Sequence, residues 1–117
     1  MYKNKYNAKK TTVDGIKFDS KREATRYLDL KLMERAGLIE DLELQPKFLL
    51  QIGFTLDGKT YREISYIADF KYHDLEKDEW VVEDVKSKGT VTQVYKLKKK
   101  MFLRHYGTTF KFFENFD

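Results

Sequence analysis

The sequence predicts an α/β fold, a central mixed sheet with helices on its faces. Two stretches, Ser20 to Ala36 and Thr92 to Tyr106, carry apolar residues at helical spacing between a capping side chain and a terminating glycine. Between and after them lie β-branched and aromatic runs at Leu38 to Gln51, Ile64 to His73, Trp80 to Lys86 and Thr109 to Phe116. The 117 residues suit one domain, and one Pro and six Gly are too few for a disordered or low-complexity chain.

Residues 1–13 read as a basic N-terminal arm, with Tyr2 and Tyr6 set among Lys3, Lys5, Lys9 and Lys10. Residues 14–117 read as a single domain. Asp14-Gly15 signals a turn, and Ile16 to Phe18 a short strand. Asp19 or Ser20 then caps a helix whose apolar side is Ala24, Tyr27, Leu28, Leu32 and Ala36, and Gly37 stops it. Leu38 to Gln51 is extended and broken at Pro46, which has no N–H for a sheet ladder. Phe54 to Tyr61 forms a hairpin around Asp57-Gly58.

In the Ile64 to His73 strand, alternation puts Tyr66, Ala68, Phe70 and Tyr72 on one face and Ile67, Asp69 and Lys71 on the other. The loop Asp74 to Glu79 turns this strand back as an antiparallel neighbour, Trp80 to Lys86. There Val82, Asp84 and Lys86 share one face, and Val81, Glu83 and Val85 the other. In the second helix Val94, Leu97 and Met101 form one apolar stripe and Tyr95, Phe102 and Tyr106 another; Gly107 ends it. Gln93, Lys96, Lys100 and Arg104 line its polar side.

Charge is unevenly spread. Seventeen of nineteen acids lie between Asp14 and Asp84, whereas Lys86 to Phe113 holds eight Lys or Arg and no acid. Acid-free basic segments at both ends suit a polyanion such as nucleic acid, or a solvated surface. The absence of Cys rules out disulfides and thiolate metal sites and fits a cytoplasmic setting. Two His, His73 and His105, make a structural zinc site improbable, and both read as surface residues. No apolar run is long enough for a membrane span, and the Lys-rich start is unlike a signal peptide.

Glu23, Asp69, Asp84 and Lys86 stand out. Mg²⁺ and Mn²⁺ take oxygen ligands from a few carboxylates, with water and phosphate completing the shell. A lysine beside them can steady an attacking water or a developing negative charge. Sharing one ion requires the Asp69 and Asp84 carboxylates to lie within about 8 Å of each other. Each residue also has an ordinary reading. Ser20-Lys-Arg-Glu23 fits a helix capping box, Asp84 and Lys86 fit a same-face ion pair, and Asp69 fits a strand-end acid satisfied by backbone donors.

Ile67-Ala68-Asp69 followed by Glu83-Asp84-Val85-Lys86 resembles the PD-(D/E)xK nuclease superfamily, with Ala68 in place of its nominal Pro. The resemblance runs from Gly15 onwards and is nearest to small phage-encoded endonucleases such as Holliday junction resolvases. It implies a restriction-endonuclease-like core of order α-β-β-β-α-β, and Mg²⁺-dependent or Mn²⁺-dependent hydrolysis of DNA phosphodiesters. The implied site residues are Asp69, Asp84 and Glu23 for the metal, Lys86 for the attacking water, and Gln93 for a water or phosphate. Glu83 is expected to face away.

Lys88, Lys96, Lys99, Lys100 and Arg104 are the candidate DNA contacts. So small a chain has no separate sequence-reading module, so branched or otherwise distinctive DNA structure is the expected target in phage recombination or replication. Paired cuts imply a homodimer, for which Phe54, Phe112, Phe113 and Phe116 offer apolar surface. A catalytically idle DNA-binding or protein-interaction module, and a nuclease directed at RNA or trimming DNA ends, are the alternatives.

Overall fold

Asp-Gly pairs begin the architecture. In this computed structural model, which describes residues 10–116, Asp14 (φ 52°) and Gly15 (φ 74°) join β1 (Thr11–Val13) to β2 (Ile16–Phe18). Positive φ at both turn positions matches the twist of a two-residue hairpin. Thr11–Val13, read as the end of the arm, therefore belongs to the folded unit; residues 1–9 lie outside the described part.

Helix α1 (Lys21–Arg35) starts where the Ser20 hydroxyl accepts the Glu23 N–H at 3.1 Å, and Gly37 follows its C-cap at φ 77°. Its buried residues are Glu23, Ala24, Tyr27 and Leu30. Leu28 and Leu32, expected on the apolar side, are exposed. Arg22 and Arg26 bond to later strands from the same side of the helix, and Glu23 between them is buried.

Strands β3 (Ile39–Leu44), β4 (Lys47–Gln51), β5 (Phe54–Leu56), β6 (Lys59–Tyr61), β7 (Ile64–Ile67), β8 (Phe70–Asp74) and β9 (Glu79–Lys86) follow. Helix α2 (Gln93–Tyr106) and β10 (Lys111–Phe116) complete the order. The main sheet runs β10-β9-β8-β3; it is mixed, because β10 is parallel to β9 while β8 is antiparallel to both β9 and β3. Strands β4 and β7 pair separately, as do β5 and β6, whose turn at Asp57 (φ 51°) and Gly58 (φ 78°) repeats the Asp-Gly device.

One break at Pro46 was expected; the chain makes two at the same level. The Ala68 N–H donates to the Pro46 carbonyl at 3.1 Å, and the Gln45 N–H to the Asp69 carbonyl at 2.9 Å. The single strand expected over Ile64 to His73 is thus β7 and β8, and its expected common face is divided. Tyr66 and Ala68 join a core beneath α2 with Phe48, Leu50, Val82, Tyr95 and Phe102. Phe70 and Tyr72 join a core beneath α1 with Tyr27, Leu30, Ile39 and Val81.

In α2 only the Tyr95 and Phe102 stripe is buried; Val94 and Leu97 are exposed. Gly107 ends α2 at an ordinary φ of −67°, but a Cβ there would meet the Leu103 carbonyl oxygen at 2.4 Å. Among the described residues no helix is long and apolar enough to cross a membrane.

Candidate active site

The break between β7 and β8 creates the site. Asp69 follows β7, and its N–H donates to the Glu83 carbonyl at 3.2 Å. Its Oδ2 accepts the Val85 N–H at 2.7 Å. These two bonds set the Asp69 carboxyl on the strand that carries Asp84, within electrostatic reach of its carboxyl.

Strand alternation divides β9 as expected. Asp84, only 3% exposed, and Lys86 face α2, with Lys86 Nζ 3.5 Å from Asp84 Oδ1. The Tyr66 hydroxyl donates to Asp84 Oδ2. Lys86 Nζ also lies 4.1 Å from the centre of the Tyr95 ring, where the ring face attracts a cation. Glu83, fully buried, faces α1 and accepts four hydrogen bonds: two from Arg26 and one each from Tyr72 and Asn115. Its donors leave it no free lone pair for an ion, which agrees with its expected orientation away from the site.

Glu23 enters from the first turn of α1. The capping reading holds for Ser20, whose hydroxyl takes the Glu23 backbone N–H; the Glu23 side chain is instead buried within electrostatic reach of Asp84 and Lys86. Burial, then repulsion from Asp19 and Asp84, lifts its pKa to about 7 against a partial offset by Lys86. Burial, then the neighbouring Asp84 and Glu23, holds Asp69 well above the usual carboxylate range. Burial and Asp84 likewise raise the Tyr66 hydroxyl, keeping it a neutral donor.

A cavity of about 300 Å³ opens beside Asp84 and Lys86, walled by Ser65, Tyr66, Ile67, Thr90, Thr92, Val94, Tyr95 and Lys98. Gln93, the exposed first residue of α2, is not among these wall residues. Lys98 is, and sequence reasoning missed it: it falls outside the Gln93, Lys96, Lys100 and Arg104 row, and only the approach of α2 to β9 reveals it. Lys99 is committed elsewhere, with Nζ 2.9 Å from both Glu114 oxygens. Tyr95 also donates to Glu114 at 2.5 Å, and these bonds outweigh burial to lower the Glu114 pKa.

Lys88, Lys96, Lys100 and Arg104 are exposed. His73 bonds Glu40 and Asp78 at the surface. Of the aromatic residues expected to offer apolar surface, Phe54, Phe113 and Phe116 are exposed, while Phe112 packs on the α2 core. A larger groove of about 560 Å³, along the β5–β6 hairpin, contains no buried ionisable residue.

Among the described residues, no three Asp, Glu or His side chains converge as a ready-made metal cage. The donor set nevertheless fits Mg²⁺, which is commonly held by one or two carboxylates plus substrate phosphate and water. Asp69 and Asp84 offer such a pair, and Glu23 lies within electrostatic reach of Asp84.

No curated protein and no solved structure matches the chain. A family model matches residues 3–113, nearly the whole sequence, so the chain belongs to the family described as protein of unknown function DUF1064.

Proposed function

We propose that the protein is a metal-dependent DNA endonuclease that acts on branched or otherwise structurally distinctive DNA, in the manner of a phage Holliday junction resolvase. The observation that carries this reading is the Asp69–Asp84 carboxyl pair at the strand break, with Lys86 3.5 Å from Asp84 and a buried Glu23 nearby. Carboxyl pKa values raised by burial and then by the neighbouring acids favour a site poised for a cation. The order α1, three strand lines, α2 and β10 supports a restriction-endonuclease-like core.

Asp69 and Asp84 are the residues that would hold Mg²⁺ or Mn²⁺, with Glu23 within electrostatic reach of Asp84. Such an ion would supply Lewis-acid polarisation of a phosphoryl oxygen and a more acidic bound water. Lys86 steadies the attacking water or the developing charge, and Tyr66 fixes the Asp84 carboxyl by donating to Oδ2. Lys98 beside the cavity, and Lys88, Lys96, Lys100 and Arg104 on the surface, supply phosphate contacts that give affinity without sequence readout. A homodimer would place two such sites on opposed strands of a junction.

The test is incubation with labelled four-way junction, linear duplex, single-stranded DNA and RNA, in Mg²⁺, Mn²⁺ or EDTA. Cleavage of the junction with either metal, lost in EDTA and reduced by about 10² or more in Asp84→Asn and Lys86→Ala, is the expected result. Binding without cleavage in every metal sinks the reading in favour of a binding module, and cleavage of RNA alone reassigns the substrate.

A further inference from the structure

Glu83 presents a problem that the cleavage site does not solve. It is fully buried and ionisable, and it faces away from the cavity. A buried ion pair is weak evidence for stability, because apolar packing of similar volume often serves as well or better. Its surroundings suggest a different role.

Four donors saturate its two oxygens. Arg26 Nη2 (2.9 Å) and the Tyr72 hydroxyl (2.8 Å) take Oε1, while Arg26 Nε (2.6 Å) and Asn115 Nδ2 (2.9 Å) take Oε2. The Asn115 amide is itself shared, since its Oδ1 accepts from Arg22 Nη2 at 3.2 Å. Arg22 Nη1 then reaches the Asn115 carbonyl at 3.2 Å and the Lys86 carbonyl at 3.4 Å. The result is a closed ring from α1 through β9 and β10 and back to α1.

The ring's placement on the helix matters. Arg22 and Arg26 are four residues apart, one above the other on one helix face. Two anchors one turn apart fix both the rotation of a helix about its axis and its height along it. A bidentate arginine–carboxylate pair adds a fixed plane. Glu23 sits between the two anchors, on the adjoining face. One anchor ends on the backbone of Lys86 and the other on the neighbour of Asp84. Glu23 is therefore located relative to Asp84 and Lys86 by bonds that touch none of the three side chains.

We infer that Arg22, Arg26, Glu83 and Asn115 form a positioning ring that seats α1 so that Glu23 meets Asp84 and Lys86. The inference about α1 stands on geometry; its consequence for cleavage rests on the function proposed above.

The experiment removes the shared link with Asn115→Ala, and separately loosens one anchor with Arg22→Lys. The chain has no native Cys, so nitroxide labels at Thr25→Cys on the exposed side of α1 and Thr109→Cys beyond α2 report the position of α1 relative to the end of α2. The expected result is a broadened or shifted electron–electron distance distribution in both variants, with far-UV circular dichroism retained. On junction DNA, kcat falls about tenfold to a hundredfold with KM unchanged, as for residues that orient ligands rather than bind substrate.

An unchanged distance distribution in the folded variants overturns the inference, whether or not the protein cuts DNA. A changed distribution with unchanged kcat overturns its catalytic consequence. A changed distribution in a protein that never cuts DNA supports the ring and sinks the nuclease reading instead. If Asn115→Ala does not fold, the same measurements on Arg22→Lys decide the matter.

Discussion

The Val85 N–H donates to Asp69 Oδ2 at 2.7 Å, so a side chain takes a place in the ladder where a backbone carbonyl would ordinarily stand. The last paired residues of β8 and β9 are Phe70 and Glu83. Beyond them the chain turns away towards β7, and the Asp69 carboxylate continues the pairing. This one bond fixes a candidate ligand to the strand that carries Asp84 and Lys86.

Replacing that acid separates its two roles. Asp69→Asn keeps an oxygen for the Val85 N–H and removes a crowded carboxyl. It should leave stability within about 1 kcal/mol of wild type or improve it, while cleavage drops by about 10² or more. Asp69→Ala leaves the Val85 N–H without its acceptor and should cost about 1–3 kcal/mol in urea unfolding. Equal stability of the two variants would show that the Val85 bond contributes little.

Stability in EDTA should fall as pH rises from about 4.5 to 7. Glu23 has its pKa raised from 4.5 to about 7 in the folded protein, so between those values the folded state binds more protons than the unfolded state. The favourable term is fully present below the unfolded pKa and is lost as pH climbs through the folded one. After allowance for solvent screening the loss is on the order of 2 kcal/mol. Asp69, raised from 3.8 to about 9, adds to the decline across the same range and carries it above neutrality. Urea midpoints across this range should fall less steeply in Glu23→Gln, with the Asp69 contribution remaining, and an unaltered slope in that variant would count against the burial of a titrating Glu23.

The same acids predict a metal effect of opposite sign. Mg²⁺ or Mn²⁺ should raise the melting temperature at pH 8, where the carboxyls are more ionised, and much less at pH 5. Stabilisation by a ligand at a hundred times its Kd is about 2.7 kcal/mol. Calorimetric scans of Asp84→Asn should show the shift abolished. A shift that survives in Asp84→Asn would place the ion elsewhere.

Neighbouring lysines should behave differently. Lys98 lines the cavity, whereas Lys99 is bound to Glu114. Lys98→Ala should weaken junction binding and reduce the slope of log K against log[salt] by about 0.9, the signature of one lost phosphate contact. Lys99→Ala should leave that slope alone and cost about 0.5–1 kcal/mol of stability, as expected of a partly exposed pair. Fluorescence anisotropy at several salt concentrations, with urea unfolding beside it, checks both.

Much of the architecture was legible in the chain because it rests on local rules. Ser20 and Thr92 cap their helices, and the Asp-Gly pairs make their turns. The alternation of Val82, Asp84 and Lys86 against Val81, Glu83 and Val85 gave the two faces of β9 correctly. The errors lie where tertiary contacts override periodicity. Leu28, Leu32, Val94 and Leu97 have helical spacing but face outward, since Arg22 and Arg26 set the rotation of α1 and the Tyr95–Phe102 stripe sets that of α2. The double break at Pro46 and Ala68 was half visible, because Pro46 announces itself and Ala68 does not. Lys98 could be found only once α2 lay beside β9.

Strand β9 is a partition wall. Val81 closes the core under α1, and Val82, the next residue, closes the core under α2. Neither core can melt without stripping one side of the strand that bears Asp84 and Lys86, so the two should unfold together in a single calorimetric transition. A cavity opened on either side, by Leu30→Ala or by Phe102→Ala, would then loosen the same wall, and the candidate catalytic residues would register damage done to a core they do not face.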